Sequence, residues 1–71
     1  MADKTTMAQR RALRAAVRSA AVAMAKDKGE RKTAEALGVA LRTVQFWKSG
    51  TWPSYPASRR LAPLLGVDVA P

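Results

Sequence analysis

An all-α fold, a small bundle of about four helices, is what this 71-residue chain predicts, and three features carry that expectation. Apolar residues recur at helical spacing from Met7 onward. Between residues 7 and 28 the composition is alanine, arginine and scattered aliphatics, all compatible with helix. Glycines at 29, 38, 50 and 66 then punctuate the chain where each periodic stretch stops. The length suits a single domain over residues 1–71, near the lower limit for one unstapled core. With no cysteine and no histidine, neither a disulfide nor an ordinary zinc site is expected, and no cofactor is implied. A partner subunit is the remaining source of extra stability.

Residues 1–6 are polar and lack apolar periodicity, so a frayed start is expected, with Thr5 or Thr6 as N-cap of a helix over 7–28. On that helix Leu13, Val17, Ala20, Ala21 and Met24 form one narrow stripe of small residues. Arg10, Arg14 and Arg18 follow one another at i,i+4 on a different part of its surface, with Arg11 beside them. Two uses of this row stand: a solvated basic face, or phosphate contact by Arg14 and Arg18. A membrane-surface role is not expected, because the apolar face is alanine and valine without an aromatic anchor.

Residues 30–37 predict a second helix with Ala34, Ala36 and Leu37 among its apolar positions, broken at Gly38, which accepts the positive φ of a tight turn. A third helix is expected from Leu41 to Lys48, with Val44 and Trp47 on its buried side and Ser49-Gly50 closing it. The proline-rich segment from Gly50 to Pro56 reads as a loop, and Ser54 can cap a fourth helix bearing Leu61, Leu64 and Leu65 and ending at Gly66. Pro63 predicts a kink or a short helix, since it removes one backbone bond and crowds the carbonyl four residues back. The tail from Val67 to Pro71 is expected to be disordered or to pair with a partner chain.

The stretch from Lys32 to Lys48 concentrates the functional information. Two helices crossing at about 90–120° need a small residue at their approach, a glycine in the turn and apolar residues that seat one helix on the other. Ala34 meets the first need and Gly38 the second. Leu37, Val39, Val44 and Trp47 meet the third. The spacing is that of a helix-turn-helix.

On these residues the chain resembles the helix-turn-helix of small phage regulators of the lambda Cro and CII type, most clearly over 29–49. The run Lys32-Thr33-Ala34-Glu35-Ala36-Leu37-Gly38-Val39 and the later Trp47-Lys48 look especially like CII. The similarity extends loosely to about Val67 and does not cover the first 28 residues. The longer C-terminal region through which CII-like activators form tetramers is not matched, so tetramer assembly is not carried over.

The resemblance implies a phage or prophage-like transcriptional regulator of the bacterial cytoplasm or nucleoid, including that of an infected host. It would bind double-stranded DNA as a homodimer, with the third helix in the major groove. By position, Leu41, Arg42, Gln45 and Phe46 are then the candidates to meet base edges. Arg42 can pair with guanine and Gln45 with adenine, whereas Leu41 and Phe46 can only pack against a thymine methyl or sugar. Phosphate contact falls to Arg31, Lys32, Thr43 and Lys48, with a solvated surface as the other reading of the cations. Phe46 also has a second reading, packing on a neighbouring helix or a partner protein.

The formal charge of +8 is consistent with a polyanionic partner. No run approaches a membrane span, and residues 1–30 lack the apolar core of a signal peptide, so a soluble intracellular protein is expected. Catalysis is not expected: the chain has no cysteine or histidine, no glycine-rich phosphate loop and five dispersed carboxylates. The rival function is a protein-interaction module that grips RNA polymerase, a regulator or a host defence protein through Leu41 and Phe46. Trp47 is expected in the core, while Trp52 and Tyr55 are open between core cover, dimer contact and backbone contact.

Overall fold

A computed structural model describes residues 5–68, so residues 1–4 of the expected frayed start and 69–71 of the expected tail lie outside the described residues. The described chain is all-helical: α1 (Met7–Lys28), α2 (Glu30–Leu37), α3 (Leu41–Ser49) and α4 (Tyr55–Leu65). No helix among the described residues is long and apolar enough to cross a membrane.

α1 begins where its polar preface permits. The Thr6 hydroxyl accepts from the Gln9 amide at 3.1 Å, and the Gln9 side-chain oxygen accepts from the Thr6 amide at 2.8 Å. This capping box satisfies two otherwise orphaned donors. Thr5 accepts a bond of 3.2 Å from the Tyr55 hydroxyl, so the chain is held to the body from Thr5 onward rather than only from Met7.

The buried edge of α1 is Leu13, Val17, Ala21 and Ala25. Ala20 and Met24, expected in that stripe, are only half-buried. Strict i,i+4 steps rotate the buried edge by about 40° per step around the axis. That drift lets one long helix face α4, α3 and α2 in turn.

Gly29 is both the C-cap of α1 and the N-cap of α2. Its φ of 94° and ψ of 156° lie in a region essentially reserved for glycine, which permits the chain to reverse on a single residue. Its amide donates to the Ala25 carbonyl at 2.9 Å, and its carbonyl accepts from the Thr33 amide at 3.1 Å and the Thr33 hydroxyl at 2.9 Å. The hydroxyl bond explains how Thr33 can be fully buried in the α2 face that packs inward with Ala34 and Leu37. Ala36, expected among the apolar positions, is exposed because those three residues occupy the inward arc.

α4 is capped by Ser54, whose side chain accepts from the Ala57 amide at 3.3 Å, with Pro56 in the first turn. Ser58 is buried with its hydroxyl donating to the Ser54 carbonyl at 2.8 Å. Leu61 and Ala62 complete the inward face, whereas Leu64 is 55% exposed. Pro63 does not end the helix, which continues to Leu65. It falls in the last turn on the exposed side, where water can reach the carbonyl that its ring cannot serve. Val44 and Trp47 of α3 join Leu13, Val17, Leu37 and Leu61 in one core.

Candidate functional site

α3 is a short helix with no side-chain cap: Ala40 precedes it in extended conformation, and the Ala40 carbonyl accepts from Thr43 at 3.0 Å and Val44 at 3.4 Å. Its placement therefore comes from neighbours. On the α2 side, Gly38 turns in the left-handed region at φ 67°, and the Val39 amide donates to the Ala34 carbonyl at 3.0 Å. On the far side, Arg18 of α1 donates its Nε to the Trp47 carbonyl at 2.9 Å, placing a cation at the C-terminal end of α3, where the helix dipole favours it. Arg14 donates its Nε to the Pro53 carbonyl at 2.8 Å and sets its guanidinium 5.8 Å from the Trp52 ring.

The arginine row thus has a use that spacing alone did not suggest. Arg14 and Arg18 are part-buried and clamp α3 and its following loop through backbone carbonyls. Neither is merely a solvated charge. Arg10 stacks on Tyr55 at 4.8 Å, extending the same seam toward α4.

Of the residues expected to build the α2–α3 pair, Ala34, Leu37, Val44 and Trp47 are buried, Val39 is packed half-buried against them, and Gly38 forms the exposed turn. With Val44 and Trp47 inward, the 100° step of a helix turns Arg42, Gln45 and Phe46 outward, and all three are exposed. Phe46, at 52% exposed, is not a core residue of this chain. Leu41 sits on the α2 flank, where it lines a shallow groove of about 480 Å³ with Arg31, Glu35 and Gly38. Arg31, Lys32 and Lys48 are exposed, and Thr43 is half-buried.

One participant had no signal in the local sequence. Glu30, the first residue of α2, accepts from Lys48 Nζ at 2.8 Å and from Gln45 Nε2 at 3.4 Å. A carboxylate only accepts, so the amide nitrogen of Gln45 is the atom turned toward it. The hydrogen bond from Lys48, and then that from Gln45, hold the Glu30 carboxyl below its ordinary range. Its partners lie 15 and 18 residues away, beyond the reach of any i,i+4 reading.

Among the described residues no group of histidine, cysteine or carboxylate side chains is placed to hold a metal ion. Comparison with known proteins adds no assignment: no family model, no curated protein and no solved structure matches the chain.

Proposed function

We propose that the protein is a sequence-specific double-stranded DNA-binding transcriptional regulator in which α2 and α3 act as a helix-turn-helix. The observation that carries this reading is the two-sidedness of α3. Val44 and Trp47 anchor it to the core, while Arg42, Gln45 and Lys48 are exposed on α3 and Arg31 and Lys32 are exposed on α2, in a chain of net charge +8. Backbone-directed cations fix register on a duplex, and planar side chains on an inserted helix read base edges. A homodimer would set two α3 helices roughly 34 Å apart on adjacent half-sites, blocking or recruiting polymerase at a promoter.

Recovery of bound duplexes from a random library, followed by titration of the enriched site across a salt series, tests the reading. Contact with about six to ten phosphates lowers affinity by about 10³–10⁵ between 50 and 200 mM salt. Failure to enrich any site would favour the second reading, a protein-binding surface built on Leu41 and Phe46, whose exposure on α3 supports it. An apolar contact of that kind is nearly indifferent to salt.

Glu30 gives the DNA reading a signature. In the free protein its charge occupies Lys48 and Gln45, and phosphate would compete with it for both. Glu30→Gln is expected to tighten DNA binding by roughly two- to fivefold at neutral pH, the scale of one exposed ion pair. Because the carboxyl is held below its ordinary range, its contact stabilises the free fold above that range and is lost as pH falls through the lowered value. Nearby phosphates act in the opposite sense and favour the protonated acid. Affinity should accordingly rise more steeply with acidification in the parent protein than in Glu30→Gln. An equal pH response in both would remove Glu30 from the interface.

A further inference from the structure

The first half of α1 and the loop after α3 enclose a groove of about 720 Å³ that the reading of α3 leaves unused. Arg11 and Arg14 line it together with Trp52 and Tyr55, and its floor is the row Ala8, Ala12 and Ala15. The alanines recur at i, i+4 and i+7, so they share one helix face and allow another backbone to approach closely. Trp52 is 39% exposed and Met7 78% exposed at the rim, adding apolar surface that nothing in the described chain covers.

The electrostatics of the groove are one-sided. Among the described residues no carboxylate lines it: Asp27, Glu30, Glu35 and Asp68 belong to other parts of the chain, and Arg10 adds a third guanidinium to the lining. Arg11 is exposed and makes no hydrogen bond or ion pair with the described residues. Arg14 is held in place beforehand, its Nε bonded to the Pro53 carbonyl at 2.8 Å and its guanidinium against Trp52, so a carboxylate docking there orders little. A planar guanidinium matches a carboxylate with paired donors.

We propose that this groove docks an acidic amphipathic helix of a partner protein. The apolar ridge of that helix lies on the alanine floor against Trp52, and its glutamates or aspartates meet Arg11 and Arg14. This is helix-in-groove recognition with charge supplying the selectivity. The guanidiniums would serve phosphate as well as carboxylate, but the alanine floor favours the apolar ridge of a helix over a sugar–phosphate strand. A second copy of the chain fits poorly as well, since it brings the same excess of +8 to a basic groove.

The test titrates the full ¹⁵N-labelled chain with a synthetic peptide of about 15 residues, long enough to form helix on docking, with leucine at helical spacing and glutamate elsewhere. Charge-matched polyglutamate and a short oligothymidylate are the comparison ligands. The expected result is saturable movement of the Trp52 indole signal and of the amides from Ala8 to Ala15, with the Trp47 indole unmoved. Arg11→Glu, and Ala12→Leu, which fills the floor while keeping helix propensity, should each weaken the leucine–glutamate peptide by about tenfold without changing the thermal midpoint. The proposal is overturned if polyglutamate binds equally well, if oligothymidylate is the better ligand of Trp52, or if both variants bind the peptide unchanged. Duplex binding through α3, measured on the same variants, reports separately on the DNA reading.

Discussion

Trp47→Ala is expected to lower the free energy of unfolding by about 3–5 kcal/mol, the range for truncating a buried aromatic residue. Trp47 is 3% exposed and belongs to the same core as Val17, Val44 and Leu61. A domain of this size has a total stability of roughly 4–11 kcal/mol, so the substitution removes a large part of it. The loss should concentrate on α3, which has no capping side chain at its start and depends on Val44 and Trp47 for its seat. Chemical denaturation followed by far-ultraviolet circular dichroism measures it. Trp47→Phe retains most of the bulk and should cost less. A change below about 1 kcal/mol for Trp47→Ala would mean that the side chain is not fixing α3 to the body.

On the proposed DNA-binding reading, Arg42→Ala and Gln45→Ala are expected to leave the fold intact and to remove discrimination between the enriched DNA site and random duplex. Both residues are exposed, and Arg42 has no hydrogen bond or ion pair among the described residues. Each good bidentate base contact accounts for about 1–3 kcal/mol of discrimination. In a symmetric dimer each loss occurs at both half-sites, so the combined effect should be the largest of any surface substitution. Lys32→Ala provides the contrast: as a phosphate contact it should reduce the salt slope by about one per protomer while leaving site preference alone. Mobility-shift titrations on specific and scrambled duplexes separate the two kinds of loss. Retained discrimination in both Arg42→Ala and Gln45→Ala would take base reading away from these two residues.

Much of the helical layout was legible from local chemistry. Thr6 and Ser54 are capping residues of the expected type, and Gly29, Gly38 and Gly66 stop helices where the apolar periodicity lapses. The core of the α2–α3 pair was also legible, because Ala34, Leu37, Val44 and Trp47 recur at spacings that only an inward helix face requires. Pro63 shows how position within a helix decides the effect of a proline. Its penalty falls in the final turn of α4 on the exposed side, so the helix passes through it.

What the amino-acid sequence determined by itself was the number of helices, their approximate ends and the main inward residues of α1 to α4, since caps, glycines and side-chain periodicity act within a turn or two of the chain. The tertiary structure alone decided the destinations of the charged groups. Arg14 and Arg18 could have been solvated, but packing brings them to carbonyls 39 and 29 residues away and makes them the clamp on the α3 end. Glu30 joins Gln45 and Lys48 only because α2 lies against α3. A long side chain takes its partner from whichever element folding places beside it, and no local spacing encodes that neighbour.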